Sequence, residues 1–258
     1  MPGRWLSAIV LLLIGVSTAR AGNTALVSIV IDDLGYNHAL ARQALDLPGP
    51  VSYSILPELP DSAMLARIAR EKHRDVLLHI PMQAVGGQAM GPGGLSIDMS
   101  DEEIRKVVEA DLATVPEAVG ISNHMGSAFT SDLNAMRLFM DDMKNHKNLF
   151  FLDSLTTNKT KARPVAMESG VPLIARDVFL DNERTPEALE AQFNLMLRIA
   201  EKYGRALAIA HPYPETLEFL EQRLHSLKNG PVRLVPVSLL VKSSQKEKQY
   251  AQGPGTAR

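Results

Sequence analysis

Residues 28–35 read SIVIDDLG, and how this stretch is read decides the fold. An apolar run of the kind that makes a buried strand ends in two adjacent carboxylates, Asp32 and Asp33, followed by Gly35. Side by side, two like charges repel. Either the chain turns them out to water, or something positive at the strand end neutralises them. Taken alone, a turn or a cap before a helix near His38 explains the pair as well as a binding site does.

Working outward, seven more apolar runs follow: VSYSIL, DVLLHI, VGISNHM, LFFLDS, VPLIARDVF, ALAIAH and VRLVPVSLL. Helical patterns lie between them, at residues 38–45, 62–72, 100–113, 131–145, 186–203 and 214–227. Ser100 followed by three acidic residues is a strong helix start, and Thr185-Pro186 with Gly204 brackets the clearest helix. Strands alternating with helices predict an α/β fold with a largely parallel sheet. In such folds ligands bind beyond the carboxyl ends of the strands, whether the sheet is open or closed into a barrel.

The flanking segments read differently. Residues 1–21 combine Arg4, the apolar run LSAIVLLLIGV and a small-x-small ARA ending, which is the pattern of a cleaved secretory signal peptide. The run is too short for a membrane-spanning helix, so no stable span is expected after cleavage. Residues 243–258 are polar and punctuated by Gly and Pro, and are expected to be a disordered tail. Residues 22–242 are then one domain. The chain has no cysteine, so an exported protein of this kind depends on its apolar core rather than on disulfides. Basic and acidic residues are spread evenly, for a net charge of −2, which argues against nucleic acid as a partner.

Polar residues gather at the strand ends: Asp32 and Asp33, then His79, Asn123 and His124, Asp153, Arg176 and Asp177, and His211. Any single one is explained by boundary hydrogen bonding. A set of Asp and His converging on one rim is what a divalent metal site or an acid/base pair requires. One Asp and two His suit Zn²⁺, and Fe²⁺, Co²⁺ or Ni²⁺ accept the same donors. One carboxylate of the pair then binds the cation, whose charge relieves the other, and that other is left as a base.

The ordered set IDDLG, LLHIPMQ, GISNHMGSAFT, FFLDSLT, ARDVFLDN and AIAHPYPET resembles the divergent polysaccharide deacetylases, relatives of the NodB-like carbohydrate esterases. The resemblance runs over residues 25–242 and implies a distorted (β/α) barrel of about seven strands, one of the eight runs being peripheral. It implies Asp32 as general base, Asp33 and His79 as metal ligands, and His211 as the acid that protonates the leaving amine. In such relatives a second histidine follows the first by four residues, where this chain has Gln83. An amide oxygen is a poor substitute for imidazole on Zn²⁺. From matched strand ends His124 is therefore the expected third ligand, with Gln83 in reserve. Asp153 and Asp177 are placed to orient such groups or hold substrate. Asn123, Ser127 and Arg176 either contact substrate oxygens or simply bond their loops.

The expected function is a metal-dependent hydrolase that removes acetyl groups from a cell-envelope polysaccharide in the periplasm, with secretion as the other destination. The alternative is a weak or inactive barrel that binds a glycan or envelope partner; it draws on Gln83 and on an aromatic content of only 5%. A third class, hydrolysis of a different bond such as a phosphoester, gains nothing from GGQAMGPGGLS, which lacks the Lys-Ser/Thr ending of a phosphate loop. That segment reads as a loop near the rim.

Overall fold

The computed structural model describes residues 24–243. The expected signal peptide and all but the first residue of the expected tail lie outside the described residues. Nine strands occur among the described residues: β1 Ala25–Leu34, β2 Ser52–Ile55, β3 Val76–Met82, β4 Ala118–Met125, β5 Phe150–Asp153, β6 Leu173–Ala175, β7 Val178–Phe179, β8 Arg205–Ala210 and β9 Val232–Leu234. The helices are α1 His38–Leu45, α2 Ser62–Glu71, α3 Asp101–Thr114, α4 Leu133–Met143, α5 Ala162–Ser169, α6 Pro186–Tyr203 and α7 Pro214–Leu224. Local signals set several boundaries. Ser100 and Glu103 form a reciprocal capping box at the start of α3. Thr185 caps α6, which ends where Gly204 turns left-handed at φ 82°.

All the strand pairs are parallel, in the order β6-β5-β4-β3-β2-β1-β8-β7, with β9 pairing the start of β1. The run VPLIARDVF, read from sequence as one strand, breaks into β6 and β7 at Arg176-Asp177. Its first half pairs with β5 and its second with β8. The switch is visible in consecutive amides: Arg176 N–H donates to Asp153 O, and Asp177 N–H to Leu207 O. One bent segment thus joins the two edges of the curled parallel sheet, and the fold is the expected distorted α/β barrel with β9 peripheral. VRLVPVSLL also breaks: after β9, residues 237–243 turn helical. Pro236 accounts for this, because it cannot donate to a sheet ladder but is suited to the start of a helix. The helix α5 had no counterpart in the sequence reading, since ARPVAMES carries a proline and only a weak apolar stripe.

Side chains alternate across the wall. Val27, Ile29 and Ile31 of β1 join the large core beneath the helices. Val30, Leu77, Phe150, Leu152, Ile174, Leu207 and Ile209 form a second cluster with Val235, Val237, Leu240 and Val241. The C-terminal segment therefore plugs the lower barrel. Its first amides are held by Ser52 Oγ, 3.0 Å from Val237 N, and Asp75 Oδ2, 2.7 Å from Ser238 N. With the bottom filled by hydrocarbon, the inward polar residues are left at the carboxyl ends of the strands.

Candidate metal centre

Strict alternation would send Asp32 and Asp33 to opposite faces of β1. The ladder to β2 shifts register between Ile31 and Leu34, and Asp33 adopts φ 62°. This bulge turns both carboxylates to one rim. Gly35 follows at φ 133°, with its Cα so close to Leu59 that a Cβ would lie 2.9 Å from Leu59 Cδ1. Met125 and Leu155, at the ends of β4 and β5, also have positive φ. Strained backbone concentrated at one rim is typical of a functional site.

Around Asp33 the donors converge. Its Oδ1 lies 2.7 Å from His124 Nδ1 and 3.1 Å from His79 Nε2. One donor atom from each of Asp33, His79 and His124 can be chosen so that all three lie within 4.8 Å of one another. The register explains the meeting: His79 is paired with Ser122 and Pro81 with His124, so the two imidazoles project from neighbouring strands one step apart. Ser122 Oγ sits 2.7 Å from His79 Nδ1 and fixes the ring with Nε2 toward Asp33. One carboxylate and two imidazoles fit a divalent cation with positions left for substrate or water.

Two further groups flank this cluster. Asp32 is buried, its Oδ2 3.7 Å from His79 Nε2, and its Oδ1 has no hydrogen-bond partner among the described residues. His211 Nε2 lies 3.9 Å from Asp33 Oδ2, and its Nδ1 is 3.0 Å from Asp181 Oδ1. Asp181 also accepts from His211 N at 2.6 Å and from Thr216 Oγ1 at 3.1 Å, so the ring and its backbone are held by one buried carboxylate.

Charge follows from this arrangement. Burial raises Asp32 above the ordinary carboxylate value, only partly opposed by His79 and His211. Burial would raise Asp33 too, but the hydrogen bonds and charges of His124 and His79 outweigh it and hold that carboxyl well below the usual range. Burial disfavours a charged His211, yet the bond and charge of Asp181, with Asp33 and Asp32 behind, push it up to about 9. The rim thus carries a metal-ready carboxylate, a basic carboxylate and a protonated imidazole.

The remaining candidate residues are placed elsewhere. Gln83 Oε1 accepts from Ile97 N at 2.9 Å, and its backbone bonds Leu95, Ala128 and Phe129, so Gln83 ties the 84–98 loop to β3. Ser127 Oγ accepts from Val85 N in the same loop. Asn123 bonds Ser154 N and Met125 O. Asp153 bonds Leu155 N and Thr160 Oγ1. Arg176 clamps Ser154 O and Leu155 O while lying over the Phe179 ring. These five stitch the strand ends on which the site stands. Asp177 lies below the rim, its Oδ2 2.8 Å from Leu207 N.

Asp181 escaped sequence reading because the strand was ended at Phe179. Leu180 N–H still bonds Ile209 O, and this carries the next residue to the rim. The acidic residue after the apolar run was the available signal. Tyr36 and Tyr213 were also missed. Both are exposed, with ring centroids 6.3 Å from His124 and 5.8 Å from His211.

The comparisons bear on the family and the fold. Residues 29–241 match the family model for divergent polysaccharide deacetylases, and the chain belongs to that family. It is 37% identical over 229 residues to the uncharacterized protein YibQ of Escherichia coli, covering 89% of this chain and 70% of that one. Among solved structures, the uncharacterized protein ATU2773 of Agrobacterium tumefaciens aligns with TM-score 0.81 at 23% identity, over 85% of this chain and 90% of that one. The peptidoglycan deacetylase PdaC of Bacillus subtilis, as the D285S mutant, aligns with TM-score 0.53 at 12% identity, over 90% of this chain and 98% of that one. Both likenesses are of fold.

Proposed function

We propose that this member of the divergent polysaccharide deacetylase family is a metal-dependent hydrolase that removes acetyl groups from a cell-envelope polysaccharide, acting in the periplasm after export. The observation that carries the proposal is the meeting of Asp33, His79 and His124, with Asp32 on one side and His211 on the other. These donors suit Zn²⁺ first among divalent cations. A cation held there supplies Lewis-acid polarisation of the acetyl carbonyl.

The chain's own residues supply the proton chemistry. Asp32, raised by burial and with Oδ1 unpartnered, accepts the proton of the attacking water. His211, protonated at neutral pH, donates to the leaving nitrogen or oxygen. Asp181 fixes the ring so that Nε2 faces the reacting atoms. Tyr36, largely exposed beside His124, offers an apolar face suited to the C–H face of a sugar ring, while Arg184 lies over the ring of Tyr213 beside His211.

The test is acetate release from an N-acetylglucosamine oligomer and from an acetylated peptidoglycan fragment. Release should stop on chelation, return with Zn²⁺, and be lost in Asp32→Asn while metal content is kept. Metal content should fall in His79→Ala and His124→Ala but not in Gln83→Ala. Glycan binding without acetate release would assign a binding role instead, and neither binding nor release would overturn the proposal.

A further inference from the structure

Below the rim, the barrel wall is incompletely laced. On the side away from β5, β6 has no partner strand among the described residues, and β7 meets β8 only at Ala208 and Ile209. Asp177 closes the upper part of this seam, bonding Leu207 N with its side chain and Leu207 O with its backbone. Beneath it lies a cavity of about 160 Å³. Its lining includes Arg163 of α5, Ile174 and Ala175 of β6, Asp177, Tyr203 of α6 and Arg205 at the start of β8. This is a space apart from the metal centre, since Leu207 of β8 precedes His211, just past the end of that strand, by four residues, about 13 Å at strand rise.

The charges in the cavity do not balance. Arg205 Nη1 is buried and has no hydrogen-bond partner among the described residues. A second arginine, Arg163, lines the same space from its exposed side. The one carboxylate there, Asp177, already has Oδ2 bonded to a backbone amide. A buried, unpartnered guanidinium nitrogen in a lined cavity calls for an acceptor, and a planar guanidinium matches the paired oxygens of a carboxylate or phosphate.

We propose that the seam cavity is a second binding site, taking a small oxyanion, a phosphate or a carboxylate group, between Arg205 and Arg163. The site gathers residues from α5, β6, α6 and β8, so its occupant bridges the part of the wall that backbone hydrogen bonds leave open.

The test is calorimetric titration of metal-stripped full-length protein with inorganic phosphate, and separately with acetate, at ionic strength held constant with NaCl. Removing the metal first keeps anion binding at a cation from entering the signal. Saturable binding of one equivalent is expected, weakened about tenfold or more in Arg205→Gln and in Arg163→Gln, the loss of one charge-assisted bond. Asp33→Asn should bind as the wild type does. Phosphate alone binding identifies a phosphate group, acetate alone a carboxylate, and both a general oxyanion site. Absence of saturable binding, binding undiminished in Arg163→Gln, which changes an exposed residue and leaves the fold intact, or loss in Asp33→Asn overturns the proposal.

Discussion

Asp111 offers a sharp test of the electrostatic reasoning. It lies on α3, fully buried, with neither carboxylate oxygen partnered among the described residues. It is packed so tightly against the 84–98 loop that a Cβ on Gly93 would come 2.2 Å from its Oδ1. Burial, helped by the charge of Glu58, pushes its carboxyl from 3.8 up to about 8. The sign follows from linkage: between those values the folded state binds a proton that the unfolded chain has released, so stability falls as pH rises from about 4 to about 8, then levels. The slope is at most about 1.4 kcal/mol per pH unit. From pH 5 to the plateau, about three units, the loss is about 4 kcal/mol. Asp111→Asn removes the ionisation but keeps the shape. In urea unfolding at pH 5, 7 and 9, the stability of the variant minus that of wild type should grow by about this amount, other titrating groups cancelling in the difference. A difference that stays flat with pH would refute the reasoning, because it would mean Asp111 ionises in the fold as readily as in water.

Other outcomes follow from the same geometry. Asp181→Asn removes the charge that holds His211 up at about 9; the alkaline fall of acetate release, where the acid loses its proton, should move to lower pH, by about one unit or more. Ser122→Ala frees the Nδ1 side of His79; metal affinity measured by competition with a chelator should drop about 10- to 100-fold with the fold intact. Gly120→Ala places a Cβ 2.8 Å from the Phe150 ring; thermal unfolding should show a loss of about 1–3 kcal/mol from overpacking. Leu152→Ala, in the lower barrel cluster, should cost about 2–5 kcal/mol by the same measurement.

Much of the scaffold was legible. The apolar runs and the capping signals at Ser100 and Thr185 predict strands and helices that the structure contains. The gathering of Asp and His at strand ends needed only the periodicity of a parallel α/β fold. Where runs broke, a specific residue was responsible: Arg176-Asp177 changes partner strand, and Pro236 ends β9. Pro236 is a local signal within its run, but no local pattern announces the switch at Arg176-Asp177, because a change of partner depends on which strand lies alongside.

The sequence by itself determined which groups reach the rim: Asp32, Asp33, His79, His124 and His211 are fixed by strand lengths and by where each strand ends. It did not determine the distances between them. The bulge that turns Asp33 beside His79, the register that sets His124 next to both, and the Leu180 pairing that delivers Asp181 to His211 are relations between strands distant in the chain. Gln83 and Asp177 make the same point in reverse. Each looked like a site residue by its place in a run, and tertiary structure commits the first to a loop and the second to a seam. Ligand geometry depends on distances of a few ångströms between separate strands, and those are set by sheet register and curl, which one-dimensional spacing does not encode.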